Sequence, residues 1–192
     1  MNWHNLNLVK TALILTAFIS SSYLAPSYAG ETCEEHIQKA AHKYNIPVGI
    51  LYSVGLTETG KNGTLYPYAL NIAGKAVYAK SNSHAIKLFH DAKTKNVKLI
   101  DVGCMQINHY YHSNEFPSLE AMLNPRHNVD YAARFLSRLK RRHKNWTMAV
   151  ARYHAGPNND PAQKRYICRV ISNLVATGYG NWTQPARQFC QS

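Results

Sequence analysis

At 192 residues, 45% of them hydrophobic, the chain can bury one substantial core but is too short for two ordinary domains. That apolar content excludes a disordered chain, and no stretch beyond the first thirty residues could span a bilayer. The formal charge of +12 draws the protein toward polyanions, whether nucleic acid, anionic lipid or a carboxylate-bearing cell wall.

The N-terminus predicts export. Lys10 precedes an apolar run, Thr11 to Ile19, which is too short for a stable span. The chain then turns small and polar and reaches Ser27-Tyr28-Ala29, a small-x-small cleavage pattern. Residues 1–29 are therefore expected to be a signal peptide cleaved near Ala29. A buried first helix would show an amphipathic period, and Cys33 follows Glu31-Thr32 rather than the small residue a lipid anchor requires. The mature chain is expected to be soluble, without a membrane span, in the periplasm or otherwise exported. It keeps Cys33, Cys104, Cys168 and Cys190, an even set that reads as two disulfides with three possible connectivities. Zinc is the rival, since His109 and His112 lie near Cys104. The chain has neither a C-x-x-C pair nor H-E-x-x-H, so neither metal nor cofactor is expected. Basic charge outside the cytoplasm favours the wall over nucleic acid. The densest run, Lys140 to Lys144, also complements a helix C-terminal dipole.

Helices dominate the rest. Thr32-Cys33-Glu34-Glu35 fits a capping box, with Ile37, Ala40, Ala41 and Tyr44 at helical spacing up to Asn45. Pro47 opens a second helix through Ile50, Leu51 and Val54 to a stop at Gly60. The pattern loosens from Lys61 to Ile100. There Ala76–Tyr78 and Val97–Ile100 read as short strands around a helix from His84 to Ala92. Asn124-Pro125 starts a long helix with Val129, Ala132, Ala133, Leu136 and Leu139 on one stripe. Another carries Trp146, Ala149, Val150 and Tyr153. Asp160-Pro161 caps a last one, with Ile167, Ile171, Leu174 and Val175 inward and Gly178 as its stop. The expected fold is one mainly α domain over 30–178, an α+β arrangement with a small irregular β-containing insertion, and a tail over 179–192 tied back by a disulfide.

Few of the chain's ten acidic residues suit chemistry. Glu34, Glu35, Asp130 and Asp160 all sit in first turns or beside caps. Glu58 shares a helix face with Leu51, Val54 and Gly55. A carboxyl group on an inward stripe loses hydration, which raises its pKa and suits it to donate a proton near neutral pH.

Three ordered motifs surround this residue: Glu58-Thr59-Gly60, then Gly103-Cys104-Met105-Gln106-Ile107-Asn108, then Ala151-Arg152-Tyr153-His154-Ala155-Gly156. Together they resemble the Glu-Ser, Gly-Leu-Met-Gln and Ala-x-Tyr-Asn-x-Gly motifs of soluble-lytic-transglycosylase-like domains, the goose-lysozyme-like group. The likeness spans roughly residues 33 to 175, and Val102–Asn108 with Asn128–Leu136 is similar to the small periplasmic members. It implies a lysozyme-like fold acting on peptidoglycan glycan strands, and a partner in an envelope-spanning secretion or conjugation complex.

Carried over by position, Glu58 matches the catalytic acid/base, and Tyr153 the tyrosine whose hydroxyl meets that carboxyl group. Gln106 and Asn108 match residues that line the sugar groove, and Met105 a wall of it. Thr59 and His154, standing where the family has Ser and Asn, join the substrate-binding set. Cys104 replaces Leu, which suits a disulfide better than a groove contact. The resemblance implies cleavage between N-acetylmuramic acid and N-acetylglucosamine with a single carboxyl group, closing a 1,6-anhydromuramyl end. Two alternatives stand beside it. One is a hydrolase on the same fold, with Asp101 as a second carboxylate. In that case Asp101 is catalytic; otherwise it ends a strand and bonds backbone amides. The other is a non-catalytic wall-binding adaptor. For the cysteines, Cys33–Cys104 would clamp the first helix to the groove motif, and Cys168–Cys190 would return the tail to the last long helix.

Overall fold

The computed structural model describes residues 32–156 and 158–191; the expected signal peptide lies outside them. Thr32 Oγ1 accepts from the Glu35 N–H at 3.2 Å while Glu35 Oε2 accepts from the Thr32 N–H at 3.4 Å. This reciprocal cap satisfies two donors at the start of α1 (Cys33–Lys43). Pro47 precedes α2 (Val48–Thr59), which is uncharged until Glu58 and packs between α1 and a later helix, α8 (Asp160–Ala176). Leu51 and Val54 are fully buried. A Cβ at Gly55 would stand 2.5 Å from Leu65 Cδ2 and 3.2 Å from Met105 Sδ, so glycine there lets both side chains pack against the helix.

Residues 69–108 form a four-stranded antiparallel sheet in the order β2-β1-β3-β4. Its strands are β1 (Ala69–Ile72), β2 (Lys75–Tyr78), β3 (Ile100–Val102) and β4 (Ile107–Asn108). The expected strand at 76–78 is β2. The one expected at 97–100 begins only at Ile100, because the Val97 N–H is taken by the Ala92 carbonyl at the end of α3 (Asn82–Thr94). β1 and β4 have no clear sequence signal: one is four residues with an alanine and an asparagine, the other is two residues long.

A single-turn helix, α4 (His109–His112), follows β4. A 3₁₀ turn (Ser113–Glu115) then leads to α5 (Leu119–Leu123) and α6 (Pro125–His143). Asn124 caps α6 by accepting from the His127 N–H, and Asn145 caps α7 (Trp146–His154) by accepting from the Met148 N–H. α6 packs on α1 and α7, and α7 on α8. Asn159, not Asp160, caps α8. The buried stripe of α8 is Gln163, Tyr166, Ile167 and Val170; Ile171, Leu174 and Val175 are only partly covered. The tail forms α9 (Gln184–Gln191), and no described helix is long and apolar enough to cross a membrane.

Disulfides join Cys33 to Cys104 and Cys168 to Cys190. The first ties α1 to the loop between β3 and β4. The second ties α9 to the middle of α8, since Cys168 lies well inside that helix and not at its start. The result is a mainly helical, lysozyme-like fold with a small antiparallel sheet set into one side.

Candidate active site

Glu58 occupies the last turn of α2 and lines a cleft of about 470 Å³. Burial raises its pKa to about 7, helped by the negative charge of Asp101 and opposed by a hydrogen bond from Tyr166 and the charge of Arg169. The Tyr166 hydroxyl donates to Glu58 Oε1 at 2.5 Å. Such a carboxyl group is partly protonated near neutral pH, so it can both give and take a proton.

The sheet forms part of the cleft wall. Asn71 on β1 stands opposite Asp101 on β3, and Asp101 opposite Asn108 on β4. Residues directly opposite in register project from the same face, and all three line the cleft. Asn108 Nδ2 donates to Asp101 Oδ1 at 2.6 Å, and Asn108 Oδ1 accepts from the Tyr110 N–H at the start of α4. Asp101 thus lies mid-strand with a side-chain amide as partner, where a strand end bonded to backbone amides was expected. Burial pushes its pKa up and the Asn108 bond opposes this. Asn71 Oδ1, also buried, has no hydrogen-bond partner among the described residues.

Gly103 to Gln106 is a tightly held turn beside Glu58. Gly103 has φ +81° and lies against the Asn128 side chain, where a Cβ would come within 2.4 Å of Nδ2. Fully buried Asn128 accepts from the Met105 N–H at 2.8 Å and donates to the Val102 and Met122 carbonyls, each at 2.9 Å. Thr59 Oγ1 donates to the Cys104 carbonyl at 2.9 Å. Gln106 Nε2 donates to the Ala69 and Gly103 carbonyls at 3.1 and 3.0 Å. The turn's backbone is therefore held by the side chains of Asn128, Thr59 and Gln106.

This arrangement corrects several expectations. Thr59 and Met105 are buried and do not line the cleft. The threonine hydroxyl ties α2 to the turn, and the methionine fills the space that Gly55 leaves. Tyr153 lines the cleft, but its hydroxyl donates to the Met105 carbonyl at 2.9 Å, so it braces the turn instead of meeting Glu58. Tyr166, on the next helix α8, makes that contact. Gln106 and Asn108 line the cleft, though their amide nitrogens are committed to the protein. His154 also lines it and stacks on Tyr166, with ring centroids 4.2 Å apart and planes 3° from parallel. Burial and the neighbouring Arg169 and Arg165 lower the His154 pKa, which favours the neutral ring. Cys104, being disulfide-bonded, is not available as a metal thiolate. His109 packs on Phe89, and His112 hydrogen-bonds to Tyr131.

Sequence reasoning missed Tyr166 as the partner of Glu58, and Asn71 and Arg152 as cleft groups. Tyr166 was discoverable: it shares a face with Gln163 and Val170 at three-and-four spacing, but the more apolar stripe beside it carried the stronger signal. Asn71 sits in a strand that could not be read.

Comparison with curated proteins and with solved structures returns no match to the chain. The family model described as Transglycosylase SLT domain matches residues 35–168. That stretch runs from α1 to the cysteine in α8, includes Glu58, the 103–106 turn and Tyr166, and covers more than two thirds of the sequence: the chain belongs to the transglycosylase SLT domain family.

Proposed function

We propose that the protein is a lytic transglycosylase of peptidoglycan with Glu58 as its only general acid/base. The observation that carries this reading is a carboxyl group with a pKa of about 7 in the cleft wall, held through one oxygen by Tyr166. Because Oε1 accepts from the phenol, Oε2 is the oxygen left for substrate. Protonated Oε2 would donate to the glycosidic oxygen between N-acetylmuramic acid and N-acetylglucosamine, and the bond from that oxygen to C1 would break. Positive charge then develops at C1, assisted by the neighbouring acetamido group. The Glu58 carboxylate would next take the proton of the muramyl C6 hydroxyl as its oxygen closes on C1. The acid is regenerated, a 1,6-anhydromuramyl end forms and no water is consumed.

A hydrolase is the second reading, favoured by one observation: Asp101 lines the same cleft. Against it, one Asp101 carboxyl oxygen is already bonded to the Asn108 amide. Muropeptide analysis of purified sacculi separates the cases. Anhydro ends are expected from the parent and none from Glu58→Gln; reducing ends would establish the hydrolase, and absence of cleavage the wall-binding adaptor. The disulfides support an oxidising compartment. We extend the proposal to export after cleavage near Ala29, with residues 30–178 as the enzymatic domain, and to service of an envelope-spanning secretion or conjugation machine.

A further inference from the structure

The single-turn helix α4 is inside out. Its sequence is His-Tyr-Tyr-His, and burial of aromatic surface should turn the phenol rings inward and leave the imidazoles in water. The opposite is found. Tyr110 and Tyr111 are 58% and 69% exposed, while His109 tilts against Phe89 at 4.6 Å between centroids. His112 accepts or donates a 2.8 Å hydrogen bond with the Tyr131 hydroxyl and packs on Phe135. Two large rings are thus held out in solvent by two inward-facing histidines.

The rings are also positioned. Tyr110 meets Tyr111 edge-on, with centroids 5.0 Å apart and planes at 86°, so one braces the other. The helix below them is capped by Asn108, whose amide is fixed by Asp101 on the sheet. Tyr111 lines the same cleft as Glu58. The cleft wall it shares includes Asn71, whose buried Oδ1 has no hydrogen-bond partner among the described residues. A buried acceptor without a donor is destabilising, and a ligand that supplies an N–H or O–H relieves that cost.

An exposed aromatic face, met edge-on by its neighbour, beside an unfilled acceptor matches one ligand chemistry: a ring with an apolar C–H face and a rim of hydroxyl or acetamido donors. We propose that Tyr111, braced by Tyr110, is the stacking platform of a glycan subsite for an N-acetylated amino sugar, and that Asn71 Oδ1 accepts a hydrogen bond from that sugar chain. The platform would contribute to binding the strand and not to the chemical step. It rests on the reading of the cleft as a glycan site.

The test uses the disulfide-bonded protein carrying Glu58→Gln, titrated with an N-acetylglucosamine hexamer by calorimetry, so that binding is read without turnover. Adding Tyr111→Ala should weaken binding by about tenfold, with thermal unfolding unchanged because the ring is exposed. Tyr111→Phe and Tyr111→Trp should both retain affinity, since each keeps a flat face. In the active protein, Tyr111→Ala should raise KM for soluble glycan strands and leave kcat nearly unchanged, the mark of binding lost equally in ground and transition states. Asn71→Leu should also weaken the hexamer. An affinity unmoved by Tyr111→Ala, or lowered equally by Tyr111→Phe, would overturn the platform. Failure of the Glu58→Gln protein itself to bind any glycan would instead remove the glycan-cleaving reading beneath it.

Discussion

The phenol of Tyr166 reaches Glu58 Oε1 at 2.5 Å, joining residues 108 positions apart through the packing of α8 on α2. The bond lowers the carboxyl pKa against the stronger upward push of burial. Asn173 supports the same helix packing two turns further along α8, donating to Thr57 Oγ1 at 2.9 Å. Helix α8 is therefore registered on α2 by polar bonds at both positions, with Tyr166 the one that touches the carboxyl group.

Removing this hydroxyl sets a direction for the pH profile. Because the acid form of Glu58 starts the proposed reaction, activity should fall as pH rises through about 7. Tyr166→Phe deletes an interaction that favours the ionised form, so the Glu58 pKa should rise and the descending limb should move to higher pH. The plateau should drop roughly tenfold, the scale of a hydrogen bond to a charged group. A kcat/KM profile from pH 5 to 9 checks both, and a limb that stays in place would detach Tyr166 from the carboxyl group.

Glu58 should also leave a signature in stability. Its folded pKa of about 7 stands above the ordinary 4.5, so the native state binds its proton more tightly than the unfolded chain does. That contribution is complete below pH 4.5 and is lost as pH rises through about 7. Glu58→Gln escapes the loss. Its advantage over the parent should open between those values and reach no more than roughly 3 kcal/mol at pH 8. Denaturant melts at pH 4.5 and pH 8 measure the two gaps; equal gaps would mean the carboxyl group is solvated and not desolvated.

The legibility of this chain followed the range of its interactions. The caps of α1 and α6 and the apolar stripe of α6 are local, and Thr32, Asn124 and the 129–139 periodicity announced them. The cysteine pairs are the expected ones, an expectation that leaned on the short loop from Cys168 to Cys190, since the count alone left three connectivities. Glu58 stood out as a lone acid on an apolar face. What escaped depended on distant partners. β1 exists because β2 and β3 flank it, and Tyr153 was assigned to Glu58 by motif position while its actual partner is the Met105 carbonyl. Roles ascribed to Thr59 and Met105 failed for the same reason: a motif records which residues recur, not whether they face the cleft or hold up its wall.

Asn128 should be the most sensitive buried polar position. Its amide serves the Met105 N–H and the Val102 and Met122 carbonyls with no exposure to water. Asn128→Ala strands all three groups and should cost about 3 kcal/mol or more. It should also lower activity at temperatures where the protein stays folded, because the turn beside Glu58 loses its anchor. Calorimetric unfolding with activity measured at 15 °C tests this, and a loss below 1 kcal/mol would show that water replaces the amide.

The two disulfides should separate by both stability and activity. Cys33–Cys104 closes a separation of 71 residues and Cys168–Cys190 one of 22. On a chain-entropy estimate their removal costs about 4 and about 3 kcal/mol respectively. The larger difference lies in what each holds. Cys104 is part of the turn that Thr59, Asn128 and Tyr153 fix beside Glu58, and both cysteines of this pair are buried. Cys33→Ala/Cys104→Ala should therefore loosen α1 from the turn and reduce turnover even below its melting transition. Cys168→Ala/Cys190→Ala frees only α9 from the far side of α8, whose inner face remains packed on α2 through Tyr166, Val170 and Asn173. That variant should melt lower yet keep near-parental activity at 20 °C. Thermal unfolding and sacculus digestion on both pairs decide it: a Cys168/Cys190 variant that loses activity while still folded would show that α9 supports the cleft, and equal activity in both variants would show that the turn stands without its crosslink.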